Sequence, residues 1–195
     1  MQISQQKQKR KVIILFPIFC FFSIVYTNFS AEQINSKNWR QNEQIKEIRK
    51  IFNEVERLQK AGNLIEERPI LLHDPEAIIN LYYNQNTSWV RKLKLEYKDS
   101  KNNNWTIKYY YDLNPGFHKY DSMANKLRFI FAQVESSRKS KNEYRLYFDE
   151  NGSIIWEDIS FKSGKNNFLP RKLPDELKQD QRGELHNQER VQAGE

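Results

Sequence analysis

The sequence predicts an α+β domain, with one N-terminal amphipathic helix packed on one face of an antiparallel meander of about five strands. Three observations carry that prediction. Residues 41–60 place Ile45, Ile48, Phe52, Val55 and Leu58 at spacings of three or four, the stripe of a helix buried along one side. Residues 89–97 and 105–112 instead alternate apolar with polar, the period of a strand wet on one face. Asp149-Glu150-Asn151-Gly152 then separates two further apolar runs, as a hairpin turn does.

Residues 1–31 come first and have the order of an export signal. Lys7, Lys9, Arg10 and Lys11 precede the fifteen apolar or nearly apolar residues from Val12 to Tyr26, and no acidic residue stands before Glu32. As a helix that run spans roughly 22 Å against a hydrocarbon core of roughly 30 Å, short for a membrane span and suited to a signal peptide. Phe29 occupies a position where a cut after Ala31 usually has a small residue. The alternative is therefore a retained signal anchor, with residues 12–29 as a membrane tether. Under both readings residues 32–195 are expected outside the cytoplasm, periplasmic or secreted in the first case and membrane-associated in the second.

Losing residues 1–31 would remove four of the 32 basic residues and none of the 25 acidic ones, taking the net charge from +7 to +3. That excess is too small to argue for nucleic acid. Cys20, the one cysteine, would leave as well. The exported part then has no disulfide framework, no cysteine nucleophile and no thiolate zinc site.

The remaining elements follow in chain order. Residues 32–40 are polar and read as a linker, and the single α+β domain runs over residues 41–162. Gly62 suits the left-handed position that stops the first helix. Residues 64–72 fit an edge strand interrupted by Pro69, and Asp74-Pro75 reads as the start of a second helix over residues 75–83. Opposing Tyr97 to Trp105 pairs Leu95 with Ile107 and Leu93 with Tyr109 around a five-residue turn. A one-residue slip would break that match. Residues 127–134 are apolar on both faces, as in a central strand. For the hairpin of residues 143–149 and 153–156, a loop with Gly152 as a left-handed bulge opposes Phe148 to Ile154, Leu146 to Trp156 and Arg145 to Glu157. Residues 163–195 lose all periodicity and read as a polar, disordered tail.

The runs Tyr109-Tyr110-Tyr111-Asp112, Leu127-Arg128-Phe129-Ile130-Phe131 and Tyr147-Phe148-Asp149-Glu150-Asn151-Gly152 with Trp156 resemble a pattern common in small exported bacterial β-meander proteins of unassigned function. The resemblance spans residues 89–158 and consists of strand and turn chemistry, so it implies fold and carries no catalytic residue. The topology is also similar to cystatin-like folds, one helix on a curved antiparallel sheet. Fold alone does not confer function.

Candidate chemistry is sparse. Of the three histidines, His73 adjoins a helix-start signal and His186 lies in the tail. His118 sits beside Tyr120 and Asp121 in the long loop of residues 112–126, a better place for function. No metal-ligand spacing is visible, and no cofactor is expected. Asp112, Asp149, Glu150 and Glu157 are the strand-end acids from which a glycosidase-type pair would have to be drawn. In the register above, Lys94 falls opposite Lys108 and Lys92 opposite Tyr110, with Arg128, Arg145 and Tyr147 on the same or nearby strands. A basic, tyrosine-bearing sheet face of that kind suits an anionic glycan, a lipid headgroup or an acidic envelope protein. The function expected is a non-enzymatic binding or interaction module exported to the cell envelope. The alternative is a hydrolase acting on envelope polymers through scattered carboxylates.

Overall fold

In the computed structural model, which describes residues 33–69, 77–86, 89–113, 126–137, 139–163 and 169–182, the chain is mostly β. One α-helix, α1 (Glu43–Lys60), precedes seven strands: β1 (Leu64–Glu67), β2 (Ile78–Asn84), β3 (Val90–Lys98), β4 (Asn104–Asp112), β5 (Lys126–Glu135), β6 (Lys141–Phe148) and β7 (Ile154–Ser163). They form one antiparallel sheet in which every neighbour in space is a neighbour in sequence. All of these residues belong to a single unit, Gln33–Glu195. The segment 1–31, His73, His118 with its loop, and His186 lie outside the described residues. Among the described residues no helix is long and apolar enough to cross a membrane.

The expected α+β domain with a meander of about five strands is thus corrected to a mostly β domain with one helix and seven antiparallel strands. The largest error is β2, read from Asp74-Pro75 as a helix over residues 75–83. Ile78, Ile79, Tyr82 and Tyr83 are β-branched or aromatic, the types that pack best on a pleated surface. They pair along β3, with Ile79 opposite Leu95 and Leu81 opposite Leu93. In the short β1, Leu64 is buried and the three residues after it are exposed.

Local chemistry explains the turns. The Asn42 side chain caps α1 by accepting from the Ile45 amide, and Gly62 leaves the helix at φ +73°. Between β3 and β4 the Asp99 carboxylate accepts from the amides of Lys101 and Asn103 and from the Asn103 and Trp105 side chains. That four-donor clamp fixes the ladder with Lys94 opposite Lys108 and Lys92 opposite Tyr110. Asp149 does the same for the last hairpin, accepting from Asn151 and Ser153 at 2.8 Å each, with Gly152 at φ +82°.

Past Phe148 and Ile154 that hairpin departs from expectation. The register shifts by one residue, so Tyr147 opposes Trp156, Leu146 opposes Glu157 and Arg145 opposes Asp158. The expected pairs Leu146–Trp156 and Arg145–Glu157 do not form. The bulge lets both Ile155 and Trp156 pack on the helix side of the sheet, where the Trp156 ring stacks on Trp39 at 5.9 Å. That aromatic burial outweighs the apolar match across the ladder.

Two cores result, one on each face. On one, α1 sets Ile45, Ile48 and Val55 against Tyr82, Tyr110, Phe129 and Tyr147. On the other, Leu93, Ile107, Tyr109, Tyr111, Ile130, Tyr144 and Leu146 are covered by Leu169, Leu173 and Leu177. These leucines lie in the stretch read as a polar tail. That segment also accepts from four strand side chains: Tyr109 donates to the Leu177 carbonyl at 3.2 Å, Tyr111 donates to the Asp180 carboxylate at 2.9 Å, and Tyr144 and Asn142 both donate to the Pro170 carbonyl.

Candidate functional site: a basic, aromatic cavity beside the helix

The face that carries α1 is also the face that carries the sequence-predicted basic residues, and the helix covers only part of it. Alternation along the strands stacks the residues of this face in rows. Tyr82, Lys92, Tyr110, Phe129, Tyr147 and Trp156 form the row under α1, joined in sequence by the cross-strand pairs. The next row is Lys94, Lys108, Phe131, Arg145 and Asp158. A cavity of about 830 Å³ opens between the helix and this second row. Trp39, Phe52, Tyr110, Phe129, Phe131 and Tyr147 supply its aromatic wall, and Arg40, Arg49, Lys108 and Arg145 supply its cations.

The charges in the wall divide into committed and uncommitted ones. Glu56 projects from α1 and accepts from Lys92 at 2.5 Å and from the Tyr110 hydroxyl at 2.7 Å. Its burial would raise the carboxyl pKa, but the two donors outweigh that and hold it below the ordinary range. Lys92 is 2% exposed and is also held by the Gln59 side chain. Burial pushes its ammonium pKa down, opposed by the Glu56 contact. Arg145 is clamped between Glu143 at 2.6 Å and Asp158 at 3.3 Å, with its guanidinium over the Phe131 ring. Both acids that line the cavity, Glu56 and Asp158, are therefore already paired.

Three lining cations are not. Lys108 is half-buried with its ammonium 6.0 Å from the Phe131 centroid, Arg40 lies over Trp39 at 5.0 Å, and Arg49 is exposed on α1. None of the three has a carboxylate within ion-pair distance among the described residues. Arg40 and Arg49, together with Arg145, act on the buried Tyr147 phenol. Burial raises that phenol's pKa, while Arg49, Arg145 and Arg40 pull it down. The cavity thus carries a net positive lining over an aromatic floor, the condition for holding an anion.

Of the residues singled out from sequence, Lys108, Tyr110, Arg145 and Tyr147 come together in this cavity. Lys92 is beneath the helix rather than on an open face. Lys94 pairs with Glu96 at 2.8 Å and does not line the cavity. Arg128 is the extra residue of a bulge in β5. It donates to the Phe148 carbonyl and lies 3.6 Å from Asp112 and 4.0 Å from Glu150, away from the cavity. Two of the four strand-end acids, Asp112 and Glu150, converge on the Arg128 guanidinium, and the other two are engaged elsewhere. Asp149 is the turn clamp, Asp112 and Glu150 face Arg128, and Glu157 lies 4.0 Å from Lys178. Among the described residues no group of three or more His, Cys, Asp or Glu side chains could hold a metal ion.

Sequence reasoning missed Trp39, Arg40 and Arg49. Trp39 sits in the stretch read as a linker, yet it is 9% exposed and stacks on Trp156. A lone tryptophan just before a helix start is the available signal, since such a residue seldom stays in water.

No protein-family model, curated protein or solved structure matches this chain.

Proposed function

We propose that this chain is an exported, non-enzymatic binding domain of the cell envelope that holds an anionic ligand in the cavity beside α1. One observation carries the reading. Among the described residues, Arg40, Arg49 and Lys108 line the cavity with no carboxylate at ion-pair distance, while both lining acids are spent on Lys92, Tyr110 and Arg145. An anion entering there gains charge-assisted contacts without displacing an existing ion pair. The support for export is the basic flank and apolar run of residues 1–31.

The test is retention of the purified chain on anionic surfaces across a salt series, beside two charge reversals. Lys108→Glu should weaken retention by about tenfold, the size of one lost charge-assisted contact. Lys101→Glu, in the exposed turn between β3 and β4 and outside the cavity, should leave retention unchanged. Equal loss in both variants, or none in either, would move the binding surface elsewhere.

A further inference from the structure

We infer that the ligand of this cavity is an amphipathic anion, one acidic group on an apolar alkyl or aromatic body. The inference rests on the anion-binding reading above and narrows it by what the wall lacks. A sugar brings many hydroxyls, and each one buried without a partner opposes binding. Few neutral hydrogen-bonding groups face this cavity. The Tyr110 hydroxyl donates to Glu56, and the Ser160 hydroxyl oxygen accepts from Arg145. Among the described residues that leaves the Tyr147 phenol, the Trp39 indole N–H and the Ser160 O–H, three neutral donors for the many hydroxyls of a sugar.

What the wall does offer is ring surface. Phe52 stands edge-on to Tyr110 at 5.0 Å and to Phe129 at 5.5 Å, and Phe129 meets Tyr147 at 4.8 Å. Tyr110, Phe129 and Tyr147 are buried in this packing, so the ring surface open to a ligand is that of the half-buried Phe52 and Phe131. Arg40 and Arg49 are exposed, whereas Lys108 reaches in from the sheet. An apolar body can lie on the rings while its acid meets these cations, and about 830 Å³ is within the range of small-molecule sites. A polyanion without apolar surface would leave the rings uncovered.

The experiment is titration of the purified chain, free of detergent, with four probes followed by calorimetry. The probes are laurate, dodecyltrimethylammonium, oligogalacturonate and vesicles of anionic phospholipid, with the laurate kept below its micelle concentration. Laurate should bind, and dodecyltrimethylammonium and oligogalacturonate should not. Lys108→Glu and the surface variant Arg49→Glu should each weaken laurate by about tenfold, with unchanged circular dichroism. Vesicle binding that competes with laurate would identify a membrane lipid as the source of the same chemistry, and laurate binding alone a free amphiphile. Oligogalacturonate binding without laurate would overturn this inference and leave the anion site standing. Binding of neither, or of laurate and its cationic analogue alike, would overturn both.

Discussion

The two faces of this sheet use aromatic residues in opposite ways. On the face covered by residues 169–182, tyrosine hydroxyls are used up. Tyr109 and Tyr144 donate to carbonyls of that segment and Tyr111 donates to Asp180 at 2.9 Å, with the Arg182 guanidinium 4.0 Å over the Tyr111 ring. Tyr109, Tyr111 and Tyr144 are all fully buried. On the α1 face the helix seals one row of rings and leaves the next row, with Lys108 and Phe131, half open. One face is finished as a core and the other as a site. A β-sheet of alternating residues must hide one face, but a single helix is too narrow to hide the second across seven strands.

The sealed face should be the more fragile to lose. A chain ending at residue 168 would uncover Leu169's, Leu173's and Leu177's contact surface and orphan the hydroxyls of Tyr109, Tyr111 and Tyr144. Burial of three leucines is worth about 1.5–3 kcal/mol each, against roughly 5–15 kcal/mol for a whole domain. We expect that truncation to abolish cooperative urea unfolding. Leu173→Ala, at a side chain 1% exposed, should cost about 2–5 kcal/mol. A truncated chain that unfolds with an unchanged midpoint would show that residues 169–182 decorate the sheet without holding it.

The same contrast separates what the sequence showed from what it hid. The Lys94–Lys108 register followed from matching Trp105 with Tyr97, because both faces of that ladder repeat at period two and a slip mismatches every pair. Leu169, Leu173 and Leu177 also keep helical spacing, but prolines and charges around them mask it, and the 3-10 turn at Asp175–Lys178 is four residues long. Their burial depends on a surface built elsewhere in the chain. For the site, Lys108, Arg145 and Tyr147 were legible from strand alternation. That Lys92 lies under α1 and Lys94 does not was not legible, since both residues point to the same face. The difference is where the helix crosses, a tertiary fact set by Phe52 meeting Tyr110 and Phe129.

Glu56 tests the sealed part of the α1 face. Removing its charge leaves the buried Lys92 ammonium with neutral partners, the Gln59 side chain and the Tyr82 and Tyr110 rings among them. Breaking a fully buried pair costs about 3–5 kcal/mol. Because the Glu56 side chain is 36% exposed, Glu56→Gln should cost less, about 2 kcal/mol, read as a lowered urea midpoint near neutral pH. The sign with acid follows from the lowered carboxyl pKa. Its stabilisation is present above the unfolded value of about 4.3 and is lost as pH falls through the lower folded value. The wild-type chain should therefore lose stability over that acid range, and Glu56→Gln should lose less of it. Parallel curves for the two proteins would remove Glu56 from the acid response.

Two residues along the same strand, Lys94 offers the smallest effect and the sharpest control. It is 26% exposed at its side chain and pairs with the similarly open Glu96, and it lies directly opposite Lys108. Lys94→Gln gives up a solvated ion pair worth about 0–1 kcal/mol and relieves a like-charge opposition of a few tenths. The two nearly cancel, and the urea midpoint should move by less than about 0.5 kcal/mol in either direction. Lys92→Gln, on the same face of β3, strips Glu56 of its ammonium partner and should cost several times more. Equal costs at the two positions would mean that the helix edge does not fall between them. The row from Lys94 to Asp158 would then belong to the core, with no open half left for a ligand.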